Sequence, residues 1–309
     1  MGHLTLPCRK ICMPVLEINA ISKSYGKIKA LDAVSLTIPQ GSVFGLLGPN
    51  GSGKTTLLSI VLDVLQADMG GYKWFGQPPS YIHRKKIGAL LETPNLYHYL
   101  TAVQNLRITQ SISGRGNEAD IHAVLEKVKL HERKNSRFST YSLGMKQRLA
   151  IAATLLGDPS VLVLDEPTNG LDPVGIAEIR DLIKALSDHG HTVIMASHLL
   201  DEVEKVCDHV AILKRGKLIA SGTVESVLTA EDCIVLNASD PVLLQDCING
   251  YPGLIRTNKS VEGLECYFAK GTSAPDQINR YCFDKGMVLS QIVSKKKRLE
   301  EKFFELTAE

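Results

Sequence analysis

The chain has 309 residues, of which 44% are hydrophobic and 22% are charged, a composition ordinary for a soluble globular protein. Its 35 basic and 33 acidic residues give a net charge of +2, so no overall charge favours nucleic acid or a membrane surface. The length predicts two domains. No apolar run reaches the roughly 18 residues that a membrane-spanning helix needs.

The cysteines and the N-terminus indicate a cytoplasmic protein. Seven cysteines are scattered along the chain. Their number is odd and no CxxC pair occurs, so the sequence indicates neither a disulfide framework nor a metal site. Residues 1–14 include basic side chains but lack the apolar segment of a secretory signal. We expect this stretch to be disordered or to precede a native start at Met13.

The first half of the chain alternates strand and helix patterns. VLEINAIS and AVSLTIP alternate like strands around a turn at SYGKI, and SVFGLLG predicts a buried strand before the helix KTTLLSIVLDVL. GGYKWFG predicts a short strand. Helices are then expected from about Thr101 to Leu130, with a break at SGRGN.

The pattern continues with the strands SVLVLD, HTVIMAS and HVAILKRGKLIASG. Asp172 and Pro173 predict the N-cap and first position of a helix that Gly190 ends. Its expected apolar face is Ile176, Ile179, Ile183 and Leu186. Strands alternating with helices predict an α/β core with a mostly parallel sheet.

After about Leu228 the order becomes βαββαβ, which predicts a small α+β ferredoxin-like domain over 229–309, separate from a domain over 15–228. A last helix, RLEEKFFELT, places Leu299, Phe303 and Leu306 at helical spacing with Phe304 beside them. We expect this stripe to pack on the sheet of its own domain; the alternatives are a second subunit or the larger domain. The basic run 295–298 is a solvated loop or, alternatively, a lipid-headgroup contact.

GPNGSGKT, Gly48 to Thr55, matches the phosphate-binding P-loop between a predicted strand and a predicted helix. Its glycines let backbone N–H groups turn towards phosphate oxygens, and the helix N-terminus adds its positive dipole end. Lys54 would reach the β- and γ-phosphates of ATP, and the Thr55 hydroxyl would bind Mg²⁺.

Two further strands end in candidate catalytic residues. VLVLDEP places Asp165 at a strand end, where it would bind Mg²⁺, and Glu166 beside it, where it would orient or deprotonate the attacking water. His198 ends another apolar strand and would contact the γ-phosphate. A lone histidine is more often structural, but this strand is expected to end beside the P-loop.

Together the P-loop, LDEPTNGLDP and His198 resemble the nucleotide-binding cassette of ABC transporter ATPases over roughly Val15 to Leu228. The resemblance implies a parallel sheet core, an antiparallel β-subdomain and a helical subdomain. YSLGMKQR takes the place of the family's LSGGQ signature, which closes over ATP held by a second cassette. The residues assigned to nucleotide are Tyr25, Gly48, Pro49, Asn50, Gly51, Ser52, Gly53, Lys54, Thr55 and Thr56, with Ser142 and Gly144 acting from the second copy.

The chain departs from the family pattern at two places. Leu143 and Met145 replace a glycine and a glutamine of the signature, although Ser142 and Gly144 remain. Glu92 replaces the Q-loop glutamine, and we assign it to Mg²⁺. Both departures resemble the bacitracin-type and lantibiotic-immunity exporter branch.

Two assigned residues also have local structural explanations. Tyr25 matches the family's adenine-stacking aromatic, although a tyrosine in a turn is common. Asp172 matches the D-loop that communicates across the dimer, and it also caps a helix, so both roles are open.

The sequence therefore predicts an ATP-hydrolysing subunit that forms a homodimer around two ATP molecules with Mg²⁺. It would power a separate permease, with export of a peptide antibiotic, drug or lipid-like substrate expected. Helices between Glu92 and Tyr141 would hold the permease-docking surface, and the subunit would lie at the cytoplasmic face of the membrane without binding nucleic acid. The alternative is a soluble ABC-type ATPase of translation or DNA repair, and a P-loop nucleotide kinase is a weaker third.

Overall fold

The computed structural model describes residues 14–91, 95–228, 231–269, 272, 274–295, 299–300 and 303. The start was predicted to be disordered over 1–14, and the structure corrects this at Pro14, which belongs to the first strand. Residues 1–13 and Glu92 lie outside the described residues. The chain divides into two compact units that meet in sequence between Gly222 and Thr223.

The larger unit is built on a six-stranded sheet. Its interior strands are parallel and continuously buried, as their uninterrupted apolar runs require. The strand order across the sheet is β5-β6-β7-β3-β8-β9. The strands are β3 (Val43–Leu47), β5 (Ile87–Leu90), β6 (Val161–Asp165), β7 (Thr192–Ser197), β8 (His209–Lys214) and β9 (Lys217–Thr223).

A second, antiparallel sheet in this unit has the order β2-β1-β4. Its strands are β1 (Pro14–Tyr25), β2 (Ile28–Pro39) and β4 (Met69–Trp74). Helix α1 (Lys54–Val61) shares one apolar core with both sheets, which includes Leu16, Phe44 and Leu57. The Trp74 indole N–H donates to Val61 O at 2.8 Å and ties β4 to the end of α1.

Helix α1 is shorter than the predicted KTTLLSIVLDVL. It ends at Val61, and Asp63 follows with φ of 63°. A residue in the left-handed region cannot continue a right-handed helix, so the chain turns there despite the apolar residues beyond. Two short elements that the sequence analysis did not predict come after β4: α2 (Tyr81–Lys85) and β5.

The helical part of the unit begins at Thr101. Helices α3 (Ala102–Ser113) and α4 (Glu118–Lys127) start with reciprocal capping boxes, Thr101 with Gln104 and Asn117 with Asp120. The expected break falls between them, where Gly114 has a left-handed conformation. Helix α5 (Leu143–Leu155) follows and packs against both.

Two helices frame strand β7. Helix α6 (Pro173–Asp188) follows the N-cap Asp172, as predicted, and buries Ile179, Ile183 and Leu186, while Ile176 is half-buried. Helix α7 (Leu200–Val206) begins just after His198. No helix among the described residues has the length and apolarity to cross a membrane.

The smaller unit holds α8 (Val224–Leu228) and then the order β10, α9, β11, β12, α10, β13. Its antiparallel sheet has the strand order β11-β12-β10-β13. Both longer helices contribute to one apolar cluster that includes Leu244, Phe268 and Ile278. The elements are β10 (Glu231–Ala238), α9 (Pro241–Asn249), β11 (Leu254–Ser260), β12 (Gly263–Ala269), α10 (Pro275–Asp284) and β13 (Leu289–Lys295).

The predicted last helix is described at three positions. Leu299, Glu300 and Phe303 are helical, and Leu299 is fully buried. Phe304 and Leu306, the other members of the predicted stripe, lie outside the described residues, as does part of the basic run 295–298.

Candidate functional site

The loop between β3 and α1 has a shape that only glycine allows at three positions. Gly51 and Gly53 have φ of 77° and 104°, in the left-handed region. A Cβ on Gly53 would lie 2.5 Å from Ala30 O, and one on Gly48 would lie 2.3 Å from Ser52 Oγ. The loop therefore wraps tightly and leads directly into the first turn of α1.

Lys54, the first residue of α1, is buried with 6% of its surface exposed. Its ammonium group donates to Gly48 O at 2.7 Å and to Pro49 O at 3.4 Å. It also lies 3.6 Å from Glu166 Oε1. The loop backbone and a carboxylate thus hold one positive charge at the mouth of the glycine loop.

Thr55 and Asp165 bring two oxygens together beside this lysine. The Thr55 hydroxyl donates to Asp165 Oδ2 at 2.7 Å. Asp165 is the last residue of β6, with 2% of its surface exposed. A hydroxyl and a carboxylate at this distance form a compact set of oxygen donors at the carboxyl edge of the sheet.

Glu166 and His198 meet because β6 and β7 are neighbouring parallel strands. The Glu166 N–H donates to Ala196 O at 3.0 Å, and its φ is 49°, unusual for a residue other than glycine. The carboxylate Oε2 lies 2.8 Å from His198 Nδ1. Pairing with β7 therefore holds the strained Glu166 backbone so that its side chain reaches both His198 and Lys54.

Ser142 and Gly144 line a different cleft. Ser142 caps α5 by accepting the Met145 N–H at 3.3 Å, and Asp172 caps α6 by accepting the Gly175 N–H at 3.0 Å. These two helix starts border a cleft of about 410 Å³. Leu143, one of the departures from the signature, is 53% exposed there. The P-loop is not among the residues that line this cleft.

Tyr25 ends β1 and is half exposed, with Lys23 Nζ 6.0 Å from its ring centroid. Its ring is thus accessible for stacking, but no described contact joins it to the Lys54–Glu166 group. Glu92 lies outside the described residues, so its assignment to Mg²⁺ stays a prediction.

Comparisons with known proteins agree with this geometry. The sequence pattern of the family described as ABC transporter matches residues 31–169. The chain is 38% identical to the uncharacterized ABC transporter ATP-binding protein YhcH of Bacillus subtilis over 96% of each protein.

This chain belongs to the ABC transporter ATP-binding family.

Other members of the family carry names that include a transported compound. The bacitracin transport ATP-binding protein BcrA of Enterococcus faecalis is 40% identical, over 66% of this chain and 68% of that protein. The lantibiotic transport ATP-binding protein SrtF of Streptococcus pyogenes is 40% identical, over 66% of this chain and 89% of that protein. The predicted ATP-hydrolysing transporter subunit is therefore confirmed, and a soluble ATPase of translation or repair is not favoured.

Solved structures establish the cassette fold of this ABC ATPase. An ATP-binding cassette in its ADP conformation matches with a TM-score of 0.62 and 28% identity, over 69% of this chain and 92% of that one. A dimeric post-hydrolysis cassette bound to ADP and Pi matches with a TM-score of 0.60 and 26% identity, over 68% of this chain and 98% of that one.

Sequence reasoning missed several features of the candidate site. It did not predict the Glu166–His198 bond or the carbonyl contacts of Lys54, because both depend on backbone positions. It also missed Thr168, whose buried hydroxyl Oγ1, like that of the predicted Ser52, has no hydrogen-bond partner within the described part of the chain. Thr168 follows Glu166 by two positions in LDEPTNG, which is the only sequence signal for it.

Proposed function

We propose that Gly48–Thr56, Asp165, Glu166 and His198 form the ATP-hydrolysing site of this subunit. The convergence of Lys54, Glu166 and His198 at the ends of β6 and β7 carries the proposal. The glycine loop and the α1 N-terminus would bind the phosphates, and Lys54 would neutralise their charge. The buried Ser52 hydroxyl, which has no partner among the described residues, fits this use, since a phosphate oxygen would accept its hydrogen bond.

Glu166 would take the proton of the attacking water or orient that water in line with the γ-phosphate. His198 contacts the same carboxylate through Nδ1 and would hold it in place while its other ring nitrogen faces the γ-phosphate. Tyr25 would stack on the adenine ring.

The oxygen donors of Thr55 and Asp165 fit Mg²⁺, which prefers hard oxygen ligands. When bound, Mg²⁺ would supply charge neutralisation at the β- and γ-phosphates. Glu92 is proposed as a further carboxylate ligand from its place in the Q-loop.

Two copies would enclose two ATP molecules, each held by the P-loop of one copy and by Ser142 and Gly144 of the other. The cleft beside Ser142 supports this arrangement, since the residues that line it include the signature but not the P-loop. A related cassette with 26% identity is dimeric with ADP and Pi.

The second partner would be a separate membrane permease, docked on the helices between Glu92 and Tyr141, at the cytoplasmic face of the membrane. The relatives named for bacitracin and lantibiotic transport support export of a peptide antibiotic, drug or lipid-like compound. The even charge balance gives no reason to expect nucleic acid as a partner.

The segment 229–309 would form a ferredoxin-like accessory domain next to the cassette at 15–228. Its βαββαβ order, its strand order β11-β12-β10-β13 and its own apolar core support this assignment. It carries none of the nucleotide motifs, so we assign it to regulation of dimerisation or docking.

The substitution Glu166→Gln tests the hydrolysis site. It removes the proton acceptor while leaving Lys54, Thr55 and Asp165 in place, so ATP binding should persist while turnover falls by roughly 100-fold or more. Phosphate release and calorimetric ATP affinity are measured side by side. Glu126→Gln, at an exposed position of α4, is the matched control and should hydrolyse ATP normally. Wild-type turnover in Glu166→Gln would refute the assignment of Glu166.

A further inference from the structure

The smaller unit contains four cysteines that form no disulfide and that ATP hydrolysis does not use: Cys233, Cys247, Cys266 and Cys282. Three of them pack in one apolar cluster formed by α9, α10 and the sheet, and these are Cys247, Cys266 and Cys282. Cys233 precedes Ile234 of that cluster on β10, so strand alternation places it on the other face of the sheet.

Cys247 on α9 and Cys282 on α10 contact each other. Burial, the charge of the Cys247 thiol and a side-chain hydrogen bond with it together raise the pKa of Cys282. Other contacts bring the same segments together: the rings of Tyr251 and Tyr281 meet edge to face with centroids 5.1 Å apart. A Cβ on Gly250 would lie 2.9 Å from Tyr281 Oη. The two sulfurs thus lie where the two helical segments approach closely.

The two thiols differ in their access to solvent. Cys247 is partly exposed, whereas Cys282 is fully buried. Burial raises the pKa of Cys282, so this thiol stays protonated and reacts slowly with a dissolved oxidant. An accessible cysteine beside a second, resolving cysteine is the arrangement of reversible redox sites.

We propose that Cys247 and Cys282 form a reversible disulfide, linking α9 to α10, when the protein meets hydrogen peroxide. The Cys247 thiolate attacks one peroxide oxygen, the O–O bond breaks, and the displaced hydroxide takes a proton to leave as water. Cys282 Sγ then attacks the sulfur of the resulting sulfenic acid, and its proton leaves with the hydroxide as a second water. The two thiols lose two electrons, and one peroxide is reduced to two waters.

The other thiols of the unit do not fit this role. Cys266 is fully buried, and burial raises its pKa to about 12, so it lacks direct access to peroxide. Cys233 lies on the opposite face of the sheet. A shared metal site is not the explanation, since no group of three or more metal-ligating side chains occurs within the described ranges.

The test treats the full chain with hydrogen peroxide, counts free thiols and identifies linked peptides by mass spectrometry without reduction. Wild type should lose two thiols, yield a Cys247–Cys282 peptide and recover both thiols with dithiothreitol. Cys233→Ser, the matched control, starts with one thiol fewer but should also lose two thiols and yield the Cys247–Cys282 peptide. Cys247→Ser should yield no linked peptide.

A second variant keeps the test informative if one substitution disturbs folding. Cys282→Ala leaves Cys247 without its resolving thiol, so a dimedone adduct of the sulfenic acid should accumulate at Cys247. The proposal is overturned if wild type keeps all its thiols, if Cys247 is oxidised without linkage to Cys282, or if the linked peptide joins another pair. ATP hydrolysis does not enter this readout, so its outcome is independent of the nucleotide site.

Discussion

Lys54 combines deep burial with a positive charge that the loop carbonyls hold in place. In Lys54→Ala a charge-assisted phosphate contact worth about 1.5–3 kcal/mol is lost, and ATP affinity should fall roughly tenfold or more. Calorimetry with ATP and Mg²⁺ measures this change. Lys127→Ala, at an exposed position of α4 that pairs with Asp158, removes a lysine outside the nucleotide motifs and should bind ATP normally. Equal affinities in the two variants would contradict the P-loop assignment.

Ser142 caps α5 and is also proposed to contact the ATP of the second copy, and comparing two substitutions can separate these roles. Ser142→Ala removes the α5 cap, worth about 1 kcal/mol, and also the hydroxyl that would meet ATP of the second copy. Asn117→Ala removes a comparable cap from α4. We expect both to lose similar stability but only Ser142→Ala to lose turnover, with ATP binding to the monomer retained. Loss of monomer binding in Ser142→Ala would argue against action across the dimer.

At the scale of residues, sequence patterns located the side chains better than their partners. The strand ends of VLVLD and HTVIMAS predicted that Glu166 and His198 lie near the P-loop, because parallel strands end at one edge. Their direct contact depends on the left-handed backbone of Glu166 and its bond to Ala196 O, which no local pattern encodes. The role of Glu92 stays a prediction.

At the scale of elements, strand β12 of the smaller unit holds a pH-sensitive carboxylate. Glu265 is buried and accepts hydrogen bonds from Tyr267 Oη at 2.9 Å, Lys295 Nζ at 3.0 Å and Asn258 Nδ2 at 3.2 Å. Burial acts to raise the pKa of Glu265, but these donors outweigh it and bring the pKa below its ordinary value. A lowered folded-state pKa stabilises the fold above the ordinary pKa and ceases to do so as pH falls through the lowered value.

Glu265→Gln should therefore lower the free energy of unfolding of the smaller unit by about 1–3 kcal/mol at neutral pH. It should also reduce the loss of stability on acidification below about pH 4, because an amide does not titrate there. Urea unfolding is followed by circular dichroism. The single tryptophan, Trp74, lies in the larger unit, so its fluorescence identifies the other transition. An unchanged acid dependence would contradict the network.

The elements with continuous or strictly periodic apolar patterns were predicted well. Strand β6 ends at Asp165, and α6 starts after Asp172, as expected from their sequences. The predicted end of α1 was wrong because Asp63 adopts a left-handed conformation, which the apolar pattern does not show. The short elements α2 and β5 were missed because each has too few residues to display a period.

At the scale of the whole molecule, the nucleotide motifs all lie before Gly222, and the thiol pair and Glu265 lie after it. The solved cassettes compared above cover about 69% of this chain. The smaller unit is nonetheless shared with YhcH, since that similarity extends over 96% of both proteins. The sequence of the smaller unit is thus shared with at least one relative.

The central claim is that ATP joins two copies through the P-loop of one and the signature of the other. Light scattering on Glu166→Gln, which should bind ATP without hydrolysing it, measures this most directly. With ATP and Mg²⁺ the molar mass should double relative to the nucleotide-free sample, and adding Ser142→Ala should return it to that of a monomer while calorimetry still detects bound ATP. A Glu166→Gln protein that binds ATP yet stays monomeric, or a double variant that still dimerises, would contradict the account.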